Sequence, residues 1–275
     1  MFFLKRLLGI SVLFLLVGCA SNTPALPPTP TPLIGRITFA GSTTVQPLAA
    51  KLGAAFQAQQ PQLQLDIAAG GSVVGIKAVH DGTADIGMAS RALTTTEAAG
   101  ITQYQIASDV IAIIVNQSNP IGGLTRAQLH AIYLGQLTNW KDLGGPDRPI
   151  VLVVREKNSG TRGAFNELVL ENQEPQGAQV QTAVTAGDAA ALVANTPGAI
   201  GYVGFGNLDA KLKVLAIDGV VPSQATVRNS AYKLVRPLLL LTGPLTQPLS
   251  KTYIDFALSS QGQQLVEADG WVPVK

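Results

Sequence analysis

The sequence predicts an α/β protein whose strands run mostly parallel. Two observations carry that prediction. Short apolar runs rich in β-branched residues alternate with stretches whose apolar residues recur at helical spacing. The same junction also occurs three times: a strand, a small polar turn, then a helix start. Its copies are Gly41-Ser42-Thr43-Thr44, Gly70-Gly71-Ser72 and Asn158-Ser159-Gly160-Thr161. Strands that alternate with helices argue parallel pairing, and in such sheets ligands sit beyond the carboxyl ends of the strands. The three turns lie at those ends, so they can converge on one point. No fixed-period repeat accompanies them.

In chain order, residues 1–18 begin with Lys5-Arg6 and continue through an apolar run from Leu7 to Val17, the charge and length of a signal peptide. The segment ends Leu16-Val17-Gly18-Cys19, which resembles the bacterial lipobox. That resemblance implies cleavage before Cys19, acylation of the cysteine, an anchor of several acyl chains, and an extracytoplasmic location. Residues 19–33 then form the anchor and a Pro/Thr tether, extended and unpacked by composition. No second run is long enough to cross a bilayer.

The body opens with a strand at Ile37 to Ala40 and a helix whose Val45, Leu48, Leu52, Ala55 and Phe56 share a face. Pro47 is tolerable in its first turn, and Pro61 marks its end. Leu63 to Ile67 alternates as a strand does, and a helix follows through Val74, Ile76 and Val79. Ala84 to Ala89 reads as a strand ending in Ser90-Arg91, with helical residues from Thr95. Ile106 to Asn116 reads as one apolar strand carrying a single charge, Asp109, which is costly to bury without a partner; a structural pairing with some arginine or turn amide is one reading of it. Thr125 starts a helix to Tyr133, and Leu137 to Trp140 is a turn. Ile150 to Val154 is a buried strand. Further on, a short Ala-rich helix spans Gly187 to Ala194, strands are expected at Ala199–Val203 and Tyr232–Leu241, and two helices at 249–258 and 261–268 finish the chain.

The stretch Arg155 to Phe165 carries the clearest chemical signal. Ser, Asn and Thr cap helices, and Gly lets a ligand approach the backbone. A helix start presents unpaired N–H groups and partial positive charge, which suits an anion. Arg155 and Arg162 add planar multi-donor heads. An ordinary capped helix with two surface arginines is the competing reading.

Composition narrows the function. With 275 residues, 47% of them hydrophobic and 13% charged, the chain can bury a sizeable core and is not a disordered protein. Without Lys5 and Arg6 the remaining 17 basic residues balance 17 acidic ones, so no basic face for nucleic acid is expected. One cysteine permits no intrachain disulfide and no thiolate zinc site, and two histidines are thin material for metal or acid–base chemistry. His80 and His130 read as surface or packing residues.

Six motifs in order, A-G-S-T-T-V-Q-P-L, G-G-S-V-V-G-I-K-A, A-D-I-G-M-A-S-R, I-Y-L-G-Q-L-T-N-W, N-S-G-T-R-G-A-F and P-G-A-I-G-Y-V, make residues 36–275 resemble the phosphate-binding lipoproteins of bacterial phosphate ABC transporters. The resemblance implies a two-lobed periplasmic-binding-protein fold of type II with the ligand cleft between lobes. It implies lobe I at 34–114 plus 236–275 and lobe II at 115–235. Carried over position by position, the phosphate contacts are Ser42, Thr43, Thr44, Ser72, Ser90, Arg91, Arg155, Ser159, Gly160 and Thr161. Some members carry Asp where Ser90 stands, accepting the phosphate proton, and Asp109 is expected to replace it here. Implied partners are inorganic phosphate, a membrane ABC permease and, through the lipid anchor, the membrane itself. The chain is expected to be a monomer without cofactor, metal or catalytic activity. The alternatives are the same fold with another oxyanion (sulfate, molybdate or tungstate), a serine hydrolase or phosphatase using Ser159 with His80 or His130, and a surface scaffold that keeps the fold. Ser159 lies in K-N-S-G-T, which lacks the G-x-S-x-G elbow.

Overall fold

The structure, a computed structural model, describes residues 33–274. The signal peptide, Cys19 and nearly all of the tether lie outside the described residues. The elements are β1 (Gly35–Gly41), α1 (Val45–Gln59), β2 (Leu63–Ala69), α2 (Ser72–His80), β3 (Ile86–Ala89), β4 (Thr102–Val110), β5 (Ala112–Asn116), β6 (Gly123–Leu124), α3 (Arg126–Tyr133), β7 (Val151–Arg155), α4 (Gly160–Leu170), β8 (Val180–Ala183), α5 (Ala186–Asn195), β9 (Ala199–Val203), β10 (Leu212–Val214), β11 (Ala216–Ile217), α6 (Gln224–Arg228), β12 (Val235–Thr242), α7 (Pro248–Ala257) and α8 (Ser260–Ala268). Among the described residues no helix is long and apolar enough to cross a membrane.

Two five-stranded sheets organise these elements into two lobes. The first has the order β2-β1-β3-β12-β4, and the second β10-β5-β9-β7-β8. Each sheet has helices on both faces, which is why the inner strands β5, β7, β9 and β12 read as largely apolar runs. In β12, Leu238 and Leu240 join the core beneath α1 and α7, while Leu239 and Leu241 join Ile76 and Val79 of α2 on the other face. In β7, Leu152 and Val154 face Tyr133 and Phe165, and Val153 faces Val193 of α5. Burying each such side chain contributes about 1.5–3 kcal/mol.

The pairing is more mixed than expected. β1 pairs in parallel with β2 and β3, and β7 with β8 and β9. β12 and β5 pair antiparallel with their neighbours. These are the strands that carry the chain between sheets. The run Ile106 to Asn116 is accordingly two strands: β4 pairs in the first sheet, β5 in the second, and Ile111 joins them. The return passes from Leu234 into β12. The lobe limit expected at 114 falls inside β5, and that at 235 falls on the first residue of β12. Pro237 sits where β12 has only β4 beside it, so its missing N–H breaks no ladder.

The helix expected from Thr95 is only a turn. Thr94 and Glu97 satisfy each other's backbone N–H groups with their side chains, as at a helix start, but Gly100 (φ +71°) ends the segment after one turn.

Candidate anion-binding site

The polar turns do converge. β1, β2, β3 and β7 each end at the cleft between the lobes, and the chain turns there into α1, α2, the Ser90-Arg91 loop and α4. Ser42, Thr44, Ser72, Ser90, Arg155, Ser159 and Thr161 are all at most 3% exposed, although each carries a hydroxyl or a charge. Buried polar groups need partners, and here the partners are largely one another.

Within the first lobe, Ser42 Oγ donates to Ser90 Oγ at 3.0 Å, and the Ser90 N–H donates to Ser72 Oγ at 3.1 Å. Ser42 Oγ also accepts from the N–H groups of Thr44 and Val45, so it caps α1 from three residues before its first residue. Gly71, the residue just before α2, stands at φ +86°, a conformation that favours glycine. In the second lobe, Ser159 caps α4 by accepting from the Arg162 N–H at 3.3 Å.

Four contacts join the lobes at this point. The Thr44 and Thr161 hydroxyls lie 3.1 Å apart. Thr43 Oγ1 accepts from Arg155 Nη2 at 3.1 Å and from the Ala186 N–H of α5 at 3.3 Å. The Val73 N–H of α2 donates to the Asn158 carbonyl at 3.2 Å. Gly160 approaches so closely that a Cβ there would overlap Ser72 Oγ and lie 2.7 Å from Ser90 Oγ. The first turns of α1, α2, α4 and α5 therefore meet around a set of hydroxyls. Each helix start directs its partial positive charge at this point, so their sum favours an anion.

Arg155 is the cation of this cluster. Its Nε donates to the Ala183 carbonyl at 3.3 Å and its Nη2 to the Val184 carbonyl at 2.9 Å, which fixes the plane of the head. Its own N–H donates to the Tyr202 hydroxyl at 3.3 Å. Tyr202 stacks on Phe165 with centroids 4.0 Å apart and planes 7° apart, so the base of the arginine stands on a rigid aromatic pair. Burial pushes the Arg155 pKa down to about 10, which leaves it charged at neutral pH.

Two expected site residues are committed elsewhere. Asp109 Oδ1 accepts from the Phe205 N–H at 3.0 Å, and Oδ2 accepts from Arg236 Nε at 3.0 Å and Nη2 at 2.7 Å. This buried pair joins β4 to β12, and the role of phosphate-proton acceptor expected of Asp109 is corrected accordingly: its oxygens are engaged by groups outside the cluster. Arg91 borders the cluster, but its guanidinium holds Glu97 through two bonds of 2.7 Å and donates to the Ala92 carbonyl, while its stem lies against Gly163 of α4. Arg162 likewise donates to the Arg155 carbonyl at 2.7 Å and pairs with Glu174. His80 is exposed and His130 half-buried, and neither has a hydrogen bond to the cluster. Among the described residues no group of three or more His, Cys, Asp or Glu could hold a metal ion.

The Arg91 guanidinium lowers the Glu97 pKa to about 2 from an ordinary 4.5, against the opposing effect of burial. A carboxylate depressed in the folded state stabilises above its unfolded pKa and loses that contribution as pH falls through the folded one. Wild type is therefore expected to melt above Glu97→Gln near neutral pH. The difference should close between about pH 4.5 and about pH 2, as followed by circular dichroism. A gap that persists at the acid end would deny the pair this role.

A family model described as a PBP superfamily domain matches residues 26–261. The phosphate-binding protein PstS of Bacillus subtilis is 32% identical over 245 residues, covering 87% of this chain and 81% of that protein. Among solved structures, one from Clostridium perfringens, described as a phosphate ABC transporter substrate-binding protein with bound phosphate, shares 38% identity. It covers 88% of this chain and 100% of that one at a TM-score of 0.83. An ABC-type phosphate transport receptor from Vibrio cholerae shares 33% identity over 86% of this chain and 99% of that one, at a TM-score of 0.72. With a two-lobed body, a hydroxyl-lined meeting of helix starts between the lobes and relatives of this kind, the chain belongs to the PBP superfamily, among its PstS-type phosphate-binding proteins.

Proposed function

We propose that this chain is an extracytoplasmic receptor that captures inorganic phosphate between its lobes and delivers it to a membrane ABC permease. The observation that carries this reading is the meeting of hydroxyls from both lobes, one buried guanidinium and four helix starts at a single point. Ser42, Thr43, Thr44, Ser72, Ser90, Arg155, Ser159, Gly160 and Thr161 supply the contacts. Arg155 gives the charge, the hydroxyls both donate and accept, and the first N–H groups of the helices complete the shell. Lobe closure about the two crossing strands encloses the anion. Acylation of Cys19 holds the monomeric body at the membrane, with residues beyond the cysteine as tether. The bound phosphate of the Clostridium perfringens neighbour supports the choice of ligand. Ser159 acts in this reading as a ligand contact and not as a nucleophile, in keeping with its oxygen capping α4.

Calorimetry with inorganic phosphate tests this reading. A dissociation constant near micromolar, about −8 kcal/mol, is expected, and absence of heat at millimolar phosphate would refute it. The same titration addresses selectivity. A carboxylate in the site would accept from protonated phosphate and repel sulfate, but Asp109 is held by Arg236. Hydroxyls, N–H groups and a guanidinium all satisfy bare oxygens. Sulfate is therefore expected to compete measurably, and phosphate affinity to rise between about pH 6 and about pH 8 as the dianion replaces the monoanion. Sulfate discrimination beyond about 10⁴-fold would instead require a proton acceptor in the site.

A further inference from the structure

The backbone crosses between the sheets at Ile111 and between Leu234 and Val235. A third link between the lobes is made without a peptide bond. β9 belongs to the second sheet, yet the segment that leaves it, Gly204-Phe205-Gly206, rests on the first lobe. Phe205 packs against both principal cores. Its N–H donates to Asp109 Oδ1 at 3.0 Å, while Asp109 Oδ2 holds Arg236. Asp109 precedes the first crossing and Arg236 follows the second, so one carboxylate ties both crossing strands to the third segment. On either side of Phe205 the backbone sits flush. A Cβ at Gly204 would lie 2.8 Å from Arg236 Nη2, and one at Gly206 would run into the buried Trp271 ring, 2.8 Å from Cη2. Trp271 is further engaged from the second lobe, since its carbonyl accepts from Gln224 Nε2 of α6 at 2.8 Å.

We propose that Gly204-Phe205-Gly206, held by the Asp109–Arg236 pair and seated on Trp271, is the pivot that sets the balance between separated and joined lobes, and through it the affinity for phosphate. The claim rests on the receptor reading above. Neither half of a buried pair can be withdrawn cheaply, and a side chain shared by two close-packed cores cannot slide freely. Lobe rotation must therefore be accommodated around this segment. Apparent affinity is the intrinsic affinity scaled by the fraction of molecules with joined lobes, so the pivot governs binding without touching the ligand. Its members are positioning residues.

The test uses the full chain as wild type, Gly206→Ala and Phe205→Ala, with inorganic phosphate as the probe. Calorimetry gives the dissociation constant, and small-angle scattering gives the radius of gyration with and without saturating phosphate. Gly206→Ala is expected to raise the dissociation constant about tenfold and to enlarge the unliganded radius, with the wild-type liganded radius restored at saturation. Phe205→Ala should also change affinity. A merely structural role would lower the melting temperature and leave the dissociation constant and both radii in place. Affinities within about twofold of wild type in both variants would overturn the proposal. If wild type itself binds no phosphate, the receptor reading fails separately. The pivot is then judged on the unliganded radius of Gly206→Ala, and a radius equal to wild type sinks it.

Discussion

Replacing Arg155 by methionine is expected to raise the dissociation constant for phosphate by about 10³-fold, roughly 4 kcal/mol. The substitution keeps much of the side-chain length and the apolar stem but removes the guanidinium that donates to the Thr43 hydroxyl. A charge-assisted hydrogen bond contributes about 1.5–3 kcal/mol, and a guanidinium can offer an oxyanion two. Arg155 is 1% exposed, so its charge acts where water screens it little. Its head is held by the Ala183 and Val184 carbonyls, and its backbone N–H by Tyr202, so binding need not order it further. Arg155→Lys separates charge from geometry. A lysine retains the point charge but cannot bridge Thr43, Val184 and an anion in one plane, so an intermediate loss is expected. Both are read by calorimetry. Methionine-substituted protein that binds phosphate within about tenfold of wild type would remove Arg155 from the site.

Much of this arrangement is legible in the sequence because its physics is local. A strand buried on both faces must be apolar throughout, so β5, β7, β9 and β12 declare themselves. A turn that caps a helix and admits an anion must be small and hydroxylated, which marks Ser42 to Thr44, Ser72 and Ser159 to Thr161. What is missed depends on partners distant along the chain. β8 is a short edge strand, Val180-Gln181-Thr182-Ala183, in which only Ala183 is buried, so it has no apolar run to betray it. The first N–H of α5, which donates to Thr43, belongs to an alanine and leaves no side-chain signature. The partner of Asp109 was open to inference. Asp109 and Arg236 are each the one charged residue of β4 and β12, and opposite charges in two buried strands invite pairing. Of the two readings the sequence leaves for Asp109, a structural pairing and a ligand contact, the cost of desolvating an unpaired arginine in β12 favours the pairing.

Gly160→Ala is expected to weaken phosphate binding by at least about 100-fold, or 2.7 kcal/mol, while leaving the fold intact. The argument separates two costs that most substitutions mix. Gly160 is the first residue of α4, its φ lies outside the left-handed region, and alanine is favoured over glycine in a helix by up to about 1 kcal/mol. The second lobe should accept the methyl group without strain. The obstruction lies across the cleft, where a Cβ would overlap Ser72 Oγ and lie 2.7 Å from Ser90 Oγ and 2.9 Å from Ser72 Cβ. Ser72 cannot simply turn aside, because its oxygen accepts from the Ser90 N–H and its Cβ is fixed at the start of α2. The clash therefore arises when the lobes join, and it charges the whole penalty to ligand enclosure. Differential scanning calorimetry of the unliganded variant should give a melting temperature near that of wild type, and titration should show the loss of affinity. Unchanged affinity would mean that phosphate does not require the approach of Gly160 to Ser72, and that the joining of lobes at this point is not the binding event.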